Sequence, residues 1–177
     1  TNIALVVNGK PQVGVIGVPI SGVIYVGAYG GNDFDFISKK REAQSWKTIK
    51  VSGVSHRLLD DRPLRIVTSR SHPSPELTKW LKQFKTVDKR TVGRPLKFCM
   101  VAEGVADVYA RFGRTCIWDT AAGHAIVEAA GGSVIQQNGS PITYKKPANV
   151  FNPFFAAWGC ELQSQWITLP FSLNLPN

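Results

Sequence analysis

The stretch Trp118-Asp119-Thr120-Ala121-Ala122-Gly123-His124-Ala125-Ile126-Val127-Glu128-Ala129-Ala130-Gly131-Gly132 sets one carboxylate at the mouth of a helix whose first turn is small. Asp119 reads as the N-cap, its side chain facing the unpaired N–H groups of that turn. Ala121, Ala122, Ala125, Ala129 and Ala130, with Ile126, form a narrow apolar stripe that permits close packing, and Gly131-Gly132 ends the helix. Taken alone, this is a capped, alanine-rich core helix. A second candidate is Ser69-Arg70-Ser71-His72, an arginine, two hydroxyls and an imidazole in one turn, a set suited to a phosphate or a sugar edge. A polar surface turn has the same composition. Lys97 and Arg111 add two cations in apolar surroundings, where a cation either snorkels to the surface or helps to clamp an anion.

Other chemistries lack support. Three histidines, His56, His72 and His124, invite a search for a hydrolase triad, but there is no Gly-x-Ser-x-Gly elbow and no Walker-type phosphate loop. His124, inside the alanine-rich helix, reads as packed or hydrogen-bonded rather than catalytic.

The elements that must position these residues divide into a β-rich first third and an α/β remainder. Ile3–Val7, Val13–Val18 and Val23–Ala28 are β-branched runs, and Asn8-Gly9 between the first two signals a hairpin, so an antiparallel meander is expected. The strand at Ile3–Val7 reads as buried. Lys39-Lys40-Arg41 reads as a solvated basic loop, followed by a short strand near Thr48–Val51. Arg65–Ser69 is a further strand. Ser74-Pro75-Glu76 then opens a helix, with Ser as N-cap and Pro at N1, along which Leu77, Trp80, Leu81 and Phe84 repeat at helical spacing. Strands are expected at Thr86–Val92, Ala106–Phe112, Ser133–Gln137 and Phe154–Trp158, and a buried helix at Pro95–Gly104. Ser69–His72 thus follows a strand and precedes a helix, where α/β sheets place ligand-binding groups.

Bulk composition narrows the partners. The chain has 177 residues, 44% of them hydrophobic, enough for a sizeable core. No apolar stretch approaches the roughly 20 residues needed to cross a bilayer. Cys99, Cys116 and Cys160 lack metal-type spacing and read as reduced thiols of a cytoplasmic protein. A net charge of +9, from 21 basic and 12 acidic residues, calls for an anionic partner. The basic residues are dispersed and not interleaved with aromatics, so a phosphorylated small molecule fits better than a nucleic acid polymer.

The run Gly93-x-x-Leu96-Lys97-Phe98-Cys99-x-Val101-Ala102-Glu103-Gly104-x-Ala106-Asp107-x-Tyr109-x-Arg111-Phe112-Gly113 leads straight into the Trp118–Gly132 signature. With Ser69-Arg70-Ser71-His72 upstream, the chain resembles the CysQ-type 3'(2'),5'-bisphosphate nucleotidases of the inositol monophosphatase superfamily, from Asn2 to about Gly159. Inositol phosphatases carry an acid where Arg111 stands. The resemblance implies a layered α/β sandwich of αβαβα type. Residues 1–62 would be the β-rich end of a first lobe, 63–159 a C-terminal α/β lobe and 160–177 a tail. It implies hydrolysis of adenosine 3',5'-bisphosphate to AMP and phosphate with Mg²⁺, Asp119 as a metal ligand, and Ser69, Ser71, His72, Lys97 and Arg111 binding substrate. The neighbouring expectations are an inositol-phosphate phosphatase and a non-catalytic nucleotide-binding member.

The family's other metal ligands, a glutamate and an Asp-Pro-x-Asp-Gly-Thr segment, do not occur in this sequence. Asp60-Asp61, the only adjacent acidic pair, reads as a surface turn. The expectation is therefore the C-terminal part of a longer enzyme or a truncated gene product, with no complete catalytic centre and with a missing part or a second copy as possible partner. Arg94-Pro95 also replaces the small hydroxyl residues that the family places after Gly93.

Overall fold

The structure, a computed structural model, describes residues 1–30, 37–53, 62–69, 74–92, 96–145 and 150–160. His56, Asp60-Asp61, Arg70–His72, Gly93–Pro95 and the segment 161–177 lie outside the described residues.

The first third forms an antiparallel meander of five strands in sequence order: β1 (Asn2–Val7), β2 (Lys10–Val18), β3 (Val23–Ala28), β4 (Ile37–Glu42) and β5 (Ser45–Thr48). Asn8 and Gly9 both take positive φ in the first hairpin, the requirement that made the Asn-Gly pair informative. Two expectations are corrected here. Strand β1 is an edge strand with Ile3 and Leu5 exposed, not a buried one. Only Ala4 and Val6 on its other face meet the core. The basic run Lys39-Lys40-Arg41 is not a loop but the middle of β4. Its alternation sends Ser38 and Lys40 inward, where the Lys40 ammonium meets Glu103 at 3.0 Å, and leaves Lys39 to solvent.

The second sheet is mixed, in the order β7-β6-β8-β10-β9. Strands β6 (Leu64–Ser69), β7 (Val87–Val92) and β8 (Val108–Arg111) are parallel, while β10 (Phe155–Trp158) runs antiparallel to both β8 and β9 (Ser133–Gln136). Helix α1 (Pro75–Leu81) starts as expected: the Ser74 hydroxyl accepts the Leu77 N–H and Pro75 occupies the first turn. Trp80 on α1 packs against Phe112 and Trp158 beneath one face of this sheet.

Helices α2 (Leu96–Ala102) and α3 (Ile117–Ala129) fill the space between the sheets. Residues Ile16 and Tyr25 of the meander, Phe98, Ala122 and Ile126 of the helices, and Val67, Tyr109 and Phe155 of the mixed sheet belong to one continuous core. This is the layered α/β arrangement expected. Helix α3 ends in a Schellman motif: the N–H of Gly132 reaches Val127 O at 2.9 Å and that of Gly131 reaches Glu128 O at 3.0 Å, with Gly131 at φ +89°. No helix among the described residues is long and apolar enough to cross a membrane.

Candidate anion and metal site at the start of helix α3

Helix α3 begins three residues earlier than the sequence suggests, so the expected role of Asp119 changes. Cys116 is the N-cap, with extended φ/ψ, and Asp119 occupies the third helical position. The Asp119 carboxylate reaches back to accept the Cys116 N–H at 3.0 Å, the acidic half of a capping box. Aspartate serves at either place because both satisfy an orphan donor of the first turn. Here the cap uses Oδ2 of the carboxylate.

The turn before α3 is clamped from outside. The Ile117 N–H donates to Val150 O at 3.0 Å, and the Asn152 N–H to Thr115 O at 2.8 Å. The Asn152 side-chain amide then reaches Cys116 O at 2.7 Å, Thr120 Oγ1 at 3.0 Å and Thr115 Oγ1 at 3.1 Å. A buried polar chain continues along the helix: Tyr144 Oη donates to Thr120 Oγ1 at 3.2 Å, and His124 Nδ1 lies 3.1 Å from Tyr144 Oη. His124 Nε2 lies 2.8 Å from Glu128 Oε1. His124 is thus a hydrogen-bonded core histidine, as its setting in the sequence implied. Burial pushes the Glu128 carboxyl upward, but the His124 and Tyr29 hydrogen bonds outweigh it and hold it below the usual carboxylate range.

Lys97 and Asp119 come together. Both line a cavity of about 30 Å³ with Asn2, Phe98, Tyr109, Thr115 and Thr120. Lys97 is 3% exposed, and its ammonium stands 5.3 Å from the centroid of the Tyr109 ring. It does not snorkel. Arg111, at the end of β8, is 6% exposed; its Nη2 donates to Arg114 O at 3.2 Å, while its buried Nε has no partner among the described residues. Strand alternation puts Arg111 on the same sheet face as Tyr109. Ser69 closes the neighbouring parallel strand β6, so Ser69 and Arg111 mark the carboxyl ends of two parallel strands at one edge of the sheet. Ser71 and His72 follow Ser69 outside the described residues.

The sequence reading missed Thr115, Asn152 and Tyr144. Thr115 was within reach, four residues before Asp119. Asn152 and Tyr144 come from loops far along the chain and carry no local signal beyond the turn-like Asn152-Pro153 pair. A cavity of about 700 Å³ lies at the opposite end of α3 beside Tyr29, Ser38 and Glu128, and none of the predicted site residues lines it.

A metal ion fits this site only in part. Mg²⁺ seeks near-octahedral oxygen coordination. Among the described residues no three His, Cys, Asp or Glu side chains cluster to hold an ion. Of the acids in the preceding motif, Glu103 is committed to Tyr25 and Lys40, and Asp107 to Arg65 and Ser52. Asp119 offers one carboxylate, half used by the cap.

Comparison with known proteins agrees with this fold. The model of the inositol monophosphatase family matches residues 1–166. The chain is 42% identical over 154 residues to the 3'(2'),5'-bisphosphate nucleotidase CysQ of Escherichia coli (strain K12), covering 87% of this chain and 57% of that protein. The chain therefore spans less than two thirds of the length of that relative. The crystal structure of CysQ from Bacteroides thetaiotaomicron superposes with a TM-score of 0.71 at 33% identity, covering 89% of this chain and 61% of the other. An inositol monophosphatase from Zymomonas mobilis shares the fold, with a TM-score of 0.68 at 23% identity over 90% of this chain and 57% of that one. The match along nearly the whole described chain settles its kinship: it belongs to the inositol monophosphatase family.

Proposed function

We propose that this chain carries the nucleotide- and phosphate-binding part of a 3'(2'),5'-bisphosphate nucleotidase. The reaction is hydrolysis of a phosphomonoester: water adds to phosphorus, the bond to the 3'-oxygen breaks, and adenosine 3',5'-bisphosphate gives AMP and phosphate. The observation that carries this reading is the buried Lys97 on the wall of the cavity that Asp119 shares, with Arg111 buried at the carboxyl end of β8. Two cations suit a substrate with two phosphates, because each phosphate accepts charge-assisted hydrogen bonds. Ser69, Ser71 and His72 are the further substrate contacts in this reading. The identity with CysQ proteins supports the nucleotide.

The cofactor in this reading is Mg²⁺, with Asp119 as one ligand; no further carboxylates cluster with it among the described residues. Three cysteines without a disulfide suit a reducing, cytoplasmic setting. Phosphate release from adenosine 3',5'-bisphosphate and from inositol 1-phosphate, each with Mg²⁺, tests the substrate. Preference for the inositol ester would overturn the nucleotide reading. Binding of adenosine 3',5'-bisphosphate without Mg²⁺ and without turnover would favour a non-catalytic nucleotide-binding protein, the reading that the sparse acid set supports.

A further inference from the structure

The hydrogen bonds around Thr115 leave one donor unused. A threonine hydroxyl has one hydrogen to give and two lone pairs to receive with. Thr115 Oγ1 receives the Asn152 amide at 3.1 Å, and among the described residues no acceptor takes its own hydrogen. Thr115 is 6% exposed and lines the small cavity that Lys97 and Asp119 share. A buried hydroxyl whose hydrogen has no acceptor costs free energy unless a ligand supplies one. The acceptor must be small, because the cavity of about 30 Å³ admits a group the size of one oxygen or water. It is favoured as an anion by the buried Lys97 ammonium.

We infer that Thr115 is a substrate-binding residue, its hydroxyl donating to a phosphate oxygen held by Lys97, and that Asn152 is a positioning residue acting through it. The proposal rests on the phosphomonoester reading above. The two hydrogens of the Asn152 amide are shared among Cys116 O, Thr120 Oγ1 and Thr115 Oγ1, which fixes the turn on both sides of the hydroxyl. Held as an acceptor by Asn152, the Thr115 hydroxyl has its hydrogen left for the cavity. Asn152 itself lines no part of that cavity.

Calorimetric titration of the 177-residue chain with adenosine 3',5'-bisphosphate, inositol 1-phosphate and inorganic phosphate tests both assignments. Thr115→Val is expected to weaken binding about ten-fold, the loss of a hydrogen bond to a charged acceptor, whereas Thr115→Ser, which keeps the hydroxyl, stays within about three-fold. Should valine prevent folding, Thr115→Ala removes the hydroxyl without an added branch. Asn152→Ala is expected to weaken binding in the wild-type background and to add nothing in the Thr115→Val background. Full additivity would overturn its positioning role. Wild-type affinity in folded Thr115→Val, beside weakened binding in Lys97→Ala, would overturn the Thr115 contact while leaving the nucleotide reading intact. If inositol 1-phosphate binds in preference and Thr115→Val weakens it, the nucleotide reading falls and the Thr115 contact stands. Failure of the folded wild-type chain to bind any of the three probes would overturn the contact itself.

Discussion

Gly14 on strand β2 and Ala122 on helix α3 meet backbone to backbone: a methyl group added at Gly14 would sit 2.1 Å from the Ala122 carbonyl oxygen. Gly27 on β3 meets Ile126 in the same way, at 2.4 Å from its Cα. On the opposite side of the helix, a methyl at Gly123 would strike the Phe98 ring at 2.4 Å. Helix α3 is therefore held at minimum separation between the meander and α2, and the position of Asp119 follows from that spacing. Gly14→Ala is expected to destabilise the chain by about 1–3 kcal/mol through overpacking. The obstacle is main chain and cannot rotate away. Urea denaturation of the variant beside the wild type checks this, and an unchanged midpoint would show that the helix has room to shift.

Asp119 caps its helix and, in the proposed reading, has a second and separable duty to the site. Asn at this position keeps an oxygen that can accept the Cys116 N–H, so Asp119→Asn should cost under about 1 kcal/mol, whereas Asp119→Ala should cost about 1 kcal/mol through loss of the cap. Thermal melts of the two variants measure that difference. Both changes remove the ionised oxygen that a cation would meet, so any binding of divalent metal at this turn should vanish equally in both. Metal binding retained in either variant would place the ion elsewhere.

Much of this arrangement is legible in the sequence because its signals are local. Ser74-Pro75-Glu76 starts a helix, Asn8-Gly9 closes a hairpin and Gly131-Gly132 ends α3 whatever else the chain does. Strand β4 escaped because Lys39-Lys40-Arg41 has the composition of a solvated loop. What makes it a strand is long-range: Lys40 is drawn inward by Glu103, 63 residues away, against which Tyr25 also packs. Burial alone would lower the Lys40 pKa, yet the Glu103 contact raises it overall, so the strand buries a paired charge. The same holds at the site. Asp119 and Lys97 stand in recognisable words, while Asn152 reaches the cap across 36 residues from a loop.

Asp107 should govern stability in acid. Its carboxylate is buried and accepts the Arg65 guanidinium at 2.7 and 3.1 Å, the Arg65 N–H at 2.8 Å and the Ser52 hydroxyl at 2.7 Å. Burial pushes its pKa up, but the Arg65 and Ser52 hydrogen bonds outweigh it and hold the group below the usual range. A lowered folded pKa contributes stability above the unfolded value, and that contribution is lost as pH falls through the folded value. Below about pH 4 the wild type should therefore lose stability in part through Asp107. Asp107→Asn should cost on the order of 3 kcal/mol near neutrality, because Arg65 is left without its partner, and should show a flatter acid limb. Denaturation midpoints between pH 3 and pH 7 would reveal it, and parallel acid limbs in the two proteins would refute the assignment.

In the proposed reading, Arg111 is the residue on which substrate class turns. Its side chain is buried at the carboxyl end of β8, with one guanidinium nitrogen on Arg114 O and Nε unpartnered among the described residues. A guanidinium in that state favours a doubly charged, bidentate acceptor such as a second phosphate and gives little to a neutral polyol. Arg111→Lys should weaken adenosine 3',5'-bisphosphate binding by roughly ten-fold, since an ammonium keeps the charge and loses the fork. Arg111→Glu should abolish it through like-charge repulsion at short range, while affinity for inositol 1-phosphate should hold or rise, an acid being suited to sugar hydroxyls. Calorimetry with both ligands at two ionic strengths separates these effects, because screening relieves general repulsion and leaves a lost bidentate contact unchanged. Equal losses for both ligands would mean that Arg111 supports the fold rather than selecting the substrate.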